Sequence, residues 1–224
     1  MMKKFIFFLC TFSLSLFAVA ETKKDKDDLF PVVVEFEDGT LREMYSDGNI
    51  NAPDFQFPAK NKYLKFVNPE TKEIEAFEID ALKSVYFHNE NGTFKLSYLF
   101  LHYSAIKSDC RASKKLWKYK QSAFSVYEGK NINVYAQFYS SVTGLSKSTV
   151  VFFQRKGENA KFVMRAYKQY GIYTILPLKR ALLNYFTEED FVKRIKAGEF
   201  KLKHRKDWSL EYMVEIAKAY DESR

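Results

Sequence analysis

The residues best suited to binding form two groups in this chain. The first group is a basic segment beside an indole, and its members are Lys201, Lys203, Arg205, Lys206 and Trp208. Cations next to an aromatic ring suit phosphate groups or the headgroup layer of a membrane. These residues are therefore a candidate contact for anionic material. We favour the alternative, in which Leu202 and Trp208 pack inside the protein while the basic side chains only face water.

The second group is a set of tyrosines and amides around residues 129–141. With a period of two, Ile132 and its apolar neighbours face one way, and the opposite face carries Asn133, Tyr135, Gln137 and Tyr139, to which we add Tyr127. Tyrosines and amides can stack on and hydrogen-bond a sugar or a peptide. This face is either an exposed binding surface or a surface covered by the C-terminal helices or an adjoining sheet. We favour the covered arrangement, because docked helices need a broad, weakly polar surface.

Catalytic and metal-binding motifs are missing from the sequence. The three histidines, His88, His102 and His204, lack a second histidine or cysteine at metal-ligand spacing. Residues 104–107 match Ser-x-x-Lys, but the partner motifs of serine–lysine hydrolases are absent. We therefore expect no cofactor and no metal, and we interpret His102 as a core residue. The alternative is a hydrolase of envelope polymers that uses carboxylates or His102 brought together by folding.

The first twenty residues have the order of a secretory signal peptide. Lys3 and Lys4 precede an apolar run, and Ala18-Val19-Ala20 then forms a cleavage site before Glu21. A charged leader over residues 21–29 follows this signal peptide of residues 1–20. No later apolar stretch reaches the roughly 18 residues of a membrane span, so we expect a periplasmic or secreted protein that is not transmembrane.

Charge and cysteine content narrow the choice of partner and the source of stability. The net charge of +8 falls to +6 when Lys3 and Lys4 leave with the signal peptide. In an exported protein this excess favours anionic envelope lipid or polysaccharide, or another envelope protein, over nucleic acid; it could also serve solubility alone.

Cleavage removes Cys10 and leaves Cys110 without an internal disulfide partner, so stability must come from a core. Cys110 is then either a quiet buried thiol or a handle for an intermolecular bridge.

Turn signals divide residues 30–167 into short strand-like runs. The clearest turns are Asp38-Gly39, Asn68-Pro69-Glu70-Thr71, Asn91-Gly92 and Gly157-Glu158-Asn159. They predict about nine strands in an antiparallel meander or a partly closed barrel. Residues 94–103 are apolar on both faces in their second half, which predicts one strand in the centre of the sheet.

From residue 176 the apolar period changes to 3.6 and predicts three helices. Pro177 suits the first position of the first helix, a capping box at Thr187 begins the second, Gly198 ends it, and Ser209 caps the third. The predicted fold class is α+β. We expect a single domain over residues 30–224, with a β body over 30–167 and a helical tail over 176–224.

Three segments carry a resemblance to a known group of proteins: Lys62-Tyr63-Leu64-Lys65-Phe66, residues 75–85 and residues 183–195. Together with the signal peptide and the helical tail, they resemble uncharacterised exported proteins of Gram-negative bacteria. The resemblance implies an antiparallel β body, a helical tail and an exported location, and it supplies no activity or site residues. Since no catalytic motif is present, we expect a non-enzymatic cell-envelope binding or assembly protein.

Overall fold

The computed structural model describes residues 29–47, 62–89, 92–104, 112–140, 146–169, 172–175, 177–204 and 207–224. The predicted signal peptide, nearly all of the charged leader, Cys110, Arg205 and Lys206 lie outside these ranges.

Thirteen strands precede three helices in the described residues. The strands are Leu29–Phe36 (β1), Leu41–Asp47 (β2), Tyr63–Val67 (β3), Ile74–Glu78 (β4), Leu82–Asn89 (β5), Gly92–Leu99 (β6), His102–Ser104 (β7), Ala112–Leu116 (β8), Gln121–Glu128 (β9), Ile132–Ser140 (β10), Ser146–Arg155 (β11), Lys161–Gln169 (β12) and Ile172–Ile175 (β13). The helices are Leu178–Tyr185 (α1), Glu189–Ala197 (α2) and Leu210–Glu222 (α3).

Eleven of the strands form one antiparallel sheet in the order β13-β12-β11-β10-β9-β6-β5-β1-β2-β3-β4, and β7 pairs with β8 in a separate hairpin. Within the described residues the sheet is open, with β4 and β13 at its edges. The predicted α+β class, an antiparallel meander followed by three C-terminal helices, is therefore confirmed.

The N-terminal end of the sheet is strongly curled. β4 and β5 lie four positions apart, which is about 19 Å in a flat sheet. Only Ile79–Ala81 separate them, and four residue steps span at most about 14 Å. Strands β1–β4 therefore roll back towards β5. Phe77 packs inside this roll, with its ring centroid 5.1 Å from that of Phe36 and 6.1 Å from that of Phe66.

The three helices cover one face of β9–β12. The largest core cluster joins sheet and helix residues, among them Ile132, Val134, Val151, Phe153, Leu182, Phe191, Met213 and Ile216. Short helices are marginal in isolation, and this shared core supplies the packing that they need. No helix in the described part of the chain is both long and apolar enough to cross a membrane.

The predicted single strand over residues 94–103 is wrong in its second half. β6 lies in the middle of the sheet but ends at Leu99. The backbone N–H of His102 donates to the carbonyl of Ala160 at 3.0 Å, so His102 begins β7 beside β12. The apolar run continues because Leu101 is buried in a second cluster on the other face of the sheet.

Three strands and two helix starts differ from the prediction. β7, β8 and β13, which have three, five and four residues, were not predicted as separate strands. Pro177 is the N-cap of α1 and not its first helical residue. The predicted capping box at Thr187 is wrong, because the N-cap of α2 is Glu188, which makes no capping hydrogen bond through its side chain. Ser209 caps α3 as predicted, accepting from the N–H of Tyr212 at 3.2 Å.

Candidate functional site

One end of the helical layer is fastened to the sheet by the carboxylate of Glu188, just before α2. It accepts hydrogen bonds from the Tyr220 hydroxyl at 2.8 Å and from the guanidinium groups of Arg224 and Arg155, each at 3.0 Å. Arg155 ends β11 and lies 5.0 Å over the ring of Tyr185, the last residue of α1. Since Tyr220 lies near the end of α3, this carboxylate joins α2 and α3 to β11. Arg155 adds α1, because it also donates to the carbonyl of Tyr185 at 3.1 Å.

The surroundings of Glu188 favour its charged form. Burial alone would raise the pKa of Glu188, but its own backbone N–H, the hydroxyl of Tyr220 and the charge of Arg155 outweigh burial and lower the pKa. The carboxylate is therefore ionised at neutral pH, as these contacts require.

A second carboxylate, Asp221 near the end of α3, caps the turn between β9 and β10. It accepts from the backbone N–H groups of Lys130 at 3.0 Å and Asn131 at 2.7 Å, and from the Tyr127 hydroxyl at 2.9 Å. A Cβ atom added to Gly129 would lie 1.9 Å from Asp221 Oδ2, so only glycine permits this approach. The contacts of Glu188 and Asp221 define what we call the latched end of the helical layer.

The latched end determines which segments lie at the other end of the layer. α1 ends there, α2 begins there and α3 ends there, so the starts of α1 and α3 lie away from it. The last turn of α2 stays beside the last turn of α3, because Arg194 Nη1 donates to the carbonyl of Ala219 at 3.1 Å. Nζ of Lys179 donates to the carbonyl of Lys196 at 2.9 Å, which shows that the start of α1 meets the end of α2. β10 runs from Ile132 at the latched end, so Phe138 also lies towards the opposite end.

The start of α1, the end of α2 and the chain from there to the start of α3, which we together call the basic end, carry exposed cations in the described residues: Lys179, Arg180, Lys196, Lys201 and Lys203. In the described ranges, none of these five cations has an ion pair with an acid. Among the described residues of these segments, Asp207 and Glu211 are the acids outside an ion pair, so they and the five cations together carry a charge of +3.

The acids on α2 and just after it are engaged by other cations. Lys193 pairs with Glu189 at 3.0 Å and with Asp190 at 3.5 Å. Arg194 binds Glu199 through two nitrogens, with Nε at 2.7 Å. The cations of the basic end thus keep their charge available to an external partner.

The sequence predicted part of the basic end. Lys201 and Lys203 are exposed, whereas Arg205 and Lys206 lie outside the described residues. Trp208 is half-buried against the helical core together with Leu202, and its indole nitrogen is buried. This is the arrangement in which Leu202 and Trp208 pack inward while the lysines face water.

Sequence reasoning missed Lys179, Arg180 and Lys196 as members of the basic end. Helical periodicity places each of them on an exposed helix face, but it does not show that the start of α1 meets the end of α2. That contact depends on the packing of the helices on the sheet, and no local sequence signal reports it.

The structure separates the three tyrosines of the second predicted group. Tyr127 pairs with Val134 across β9 and β10 and therefore lies on the helix face, with its hydroxyl bound to Asp221. Tyr135 and Tyr139 lie on the opposite face of the sheet. Residues directly opposite each other on neighbouring strands lie on the same face of a sheet. Tyr127 therefore lies on the face of its partner Val134, and Tyr135, the next residue along β10, lies on the other face. Grouping Tyr127 with Tyr135 by counting in twos was therefore wrong.

The polar groups of the opposite sheet face bind one another. Tyr135 is 4 % exposed, and its hydroxyl donates to Gln154 at 2.9 Å. The half-buried Tyr139 donates to Gln137, whose amide donates to the carbonyl of Ser122 at 2.7 Å. Leu101 and Trp117 pack against these tyrosines, so this face is covered by the segment around them and not by the helices.

The surroundings of His102 and Glu35 bear on the hydrolysis alternative. His102 is half-buried on β7, and in the parts of the chain that the structure describes no cluster of three His, Cys, Asp or Glu side chains could hold a metal ion. Burial would raise the pKa of Glu35, but hydrogen bonds from Lys83 at 2.6 Å and Tyr86 at 2.7 Å outweigh it and lower that pKa. A general acid in glycoside hydrolysis needs the opposite shift.

Comparison with known proteins finds no match to this chain: no protein-family model, no curated protein and no solved structure is similar to it.

Proposed function

We propose that this protein is an exported, non-enzymatic cell-envelope binding or assembly protein whose basic end contacts anionic envelope material. The observation that carries the proposal is the charge arrangement at the basic end. Lys179, Lys196, Lys201 and Lys203 are exposed, and nearby acids such as Glu199 are bound to other cations. The signal-peptide pattern of residues 1–20 supports export.

The number of charges fits a reversible surface contact. Each lysine or arginine near an anionic surface contributes on the order of 1 kcal/mol, and the attraction weakens over a Debye length of about 10 Å at 0.1 M salt. Lys179 and Lys196 lie on helices that are fastened to the sheet at the latched end, and the start of α1 is joined to the end of α2 by the bond from Lys179 to the carbonyl of Lys196. Several such charges acting together give binding that salt reverses.

Co-sedimentation with anionic vesicles and with lipopolysaccharide at low salt tests this proposal. The protein starting at Glu21 should sediment with both and remain in the supernatant with zwitterionic vesicles. Changing Lys179, Lys196, Lys201 and Lys203 to Gln should reduce binding by roughly a thousandfold, because about 4 kcal/mol of attraction is removed.

A matched control uses four exposed lysines away from the basic end: Lys72, Lys130, Lys156 and Lys218. Changing these to Gln lowers the net charge equally and should leave at least half of the binding. Equal losses in the two variants, or no binding by the unaltered protein, would contradict the proposal.

Export is tested separately by mass spectrometry of the protein recovered from a Gram-negative host. We expect a mature N-terminus at Glu21 in the periplasm or medium. An intact chain starting at Met1 in the cytosol would contradict export and bring nucleic acid back as a partner.

A further inference from the structure

A half-buried arginine without an acidic partner in the described ranges lies on the sheet face opposite the helices. Arg165 on β12 pairs with Val150 on β11, and Val150 belongs to the core cluster of that face, so Arg165 lies on the same face. Most other described arginines form ion pairs with acids: Arg42, Arg155, Arg194 and Arg224. Burying a charge without an acid is costly, which makes Arg165 unusual in this chain.

The guanidinium of Arg165 is held in place through one of its nitrogens. Nε donates to the hydroxyl of Ser148 on β11 at 2.9 Å, and Ser148 is only 5 % exposed. Neither Nη atom has a partner in the part of the chain that the structure describes, and neither is buried. The positive charge is therefore fixed in position, and its two outer nitrogens face solvent.

Two tyrosines flank this charge. Ser148 pairs with Tyr139 on β10 at one side and with Tyr167 on β12 at the other. Neighbouring strands lie about 4.8 Å apart, so a guanidinium bonded to Ser148 lies within reach of both tyrosines. The pKa of Tyr139 agrees with this position, because burial raises it and the charge of Arg165 acts against that rise.

The hydroxyls of the two tyrosines differ in their contacts. The hydroxyl of Tyr139 donates to Gln137. That of the half-buried Tyr167 is not buried itself and has no partner among the described residues. Tyr167 follows Arg165 by two residues on the same strand, so the two side chains stand on one face about 7 Å apart at the backbone. Together they offer several donors and a single positive charge to one external group.

We propose that this site binds the carboxylate of an acidic sugar, such as a uronic acid residue of a polysaccharide. The two Nη atoms of a guanidinium present parallel N–H groups that match a carboxylate. Lys147, the residue before Ser148 on β11, lies on the other face of the sheet, so Arg165 acts as one charge and suits a singly charged group. Tyrosine rings on both sides suit a sugar ring, which an acidic peptide lacks.

This site is separate from the basic end and goes beyond the proposed function. The helices that carry Lys179 and Lys196 pack on the other face of the sheet. R165Q should therefore bind anionic vesicles as well as the unaltered protein does, and the four-lysine variant should keep its affinity for the sugar. Failure of one proposal is thus distinguishable from failure of the other.

The test is an NMR titration with D-glucuronate, followed on the backbone signals of Ser148 and Tyr167 and on the Nε–H signal of Arg165. We expect these signals to shift with glucuronate and not with glucose, which lacks the carboxylate. Acetate, which lacks the ring, should bind about fivefold more weakly.

Variants separate the contributions of charge and geometry. R165Q should weaken glucuronate binding about tenfold or more, and R165K about fivefold, since lysine keeps the charge but loses the paired N–H groups. Y167F should cost about threefold through its lost hydroxyl. K156Q removes an exposed charge from the turn between β11 and β12 and should change the affinity less than about twofold.

Urea unfolding shows whether each variant keeps the fold, and the Nε–H signal of Arg165 tests the site in the unaltered protein. An Nε–H signal that glucuronate does not shift, a folded R165Q that binds normally, or an equal loss in K156Q would overturn the site. Equal affinity for glucuronate, acetate and the amide of N-acetylglutamate would show that the ring is not recognised and would overturn the assignment to a sugar.

Discussion

The two ends of the helical layer use charge in opposite ways. At the latched end, the carboxylates of Glu188 and Asp221 accept hydrogen bonds from Tyr220 of α3, from Arg155 of β11 and from the turn between β9 and β10. At the basic end, exposed lysines such as Lys196 and Lys201 have no acidic partner in the described residues. Paired charges hold the fold together, and unpaired charges are available for binding. Mutations at the two ends should therefore affect different measurements.

The largest effect on stability is expected from Gly129→Ala. A methyl group there would meet Asp221 Oδ2 at 1.9 Å and the carbonyl oxygen of Ile132 at 2.7 Å, so either the turn or α3 must move. We expect a loss of about 3 kcal/mol or more in the free energy of unfolding, measured with urea.

Gly157→Ala is the matched control for this steric effect. Gly157 has a φ of +81°, but no atom lies within 4 Å of an added Cβ, so only backbone strain of about 1–2 kcal/mol is expected. An equal or smaller loss for Gly129→Ala would show that the Asp221 contact is not tight.

The next effect in size is expected from Glu188→Gln. The neutral amide weakens the charged hydrogen bonds to Arg155, Arg224 and Tyr220. We therefore expect the free energy of unfolding to fall by about 2 kcal/mol. Glu199→Gln removes a carboxylate whose pair with Arg194 is exposed, so it should cost less than about 1 kcal/mol. Similar losses for the two variants would argue against a special role for Glu188.

Lowering the pH should reduce the difference in the free energy of unfolding between the unaltered protein and Glu188→Gln. The pKa of Glu188 is lowered in the folded state, because the Tyr220 hydroxyl, Arg155 and two backbone N–H groups together outweigh burial, which alone would raise it. Its stabilising effect is therefore complete above the unfolded pKa of about 4.5 and is lost as pH falls through the lower folded value. Urea unfolding from pH 7 to pH 3 should show a constant difference above about pH 5 that shrinks below it. A difference that grows in acid would contradict this assignment.

The smallest expected effect is a difference in vesicle binding between two single-lysine variants of α2. Lys196→Gln should weaken binding to anionic vesicles about fivefold, because Lys196 has no acidic partner in the described residues. Lys193→Gln should change binding less than about twofold, since Glu189 and Asp190 already neutralise that charge. Neither variant should lose more than about 0.5 kcal/mol of stability. The reverse order of the two affinities would contradict the division of the helical layer into two ends.

Much of the fold could be predicted because its signals are local. The turns at Asp38-Gly39 and Gly157-Glu158-Asn159, the cap at Ser209 and the stop at Gly198, whose φ is +88°, each depend on a few neighbouring residues. The end of β6 at Leu99 was not predicted, because the apolar pattern continues into Leu101, which is buried against a different face of the sheet.

The candidate site was less predictable because it depends on contacts between distant parts of the chain. Lys201 and Lys203 stand out as a basic cluster in the sequence, but Lys179 joins them only through its contact with the carbonyl of Lys196. The role of Glu188 was hidden in the same way. The sequence predicted a capping box at Thr187 and no role for Glu188, whose partners Arg155 and Tyr220 lie 33 and 32 residues away.

Lysine acetylation with and without anionic vesicles tests the division into two ends most directly. Because a docked bilayer shields the cations beneath it, the reactivity of Lys179, Lys196, Lys201 and Lys203 should fall severalfold when vesicles are added. The reactivity of Lys156 and Lys218, which lie on the latched side, should stay unchanged. Uniform protection of all lysines, or protection confined to Lys156 and Lys218, would contradict the account.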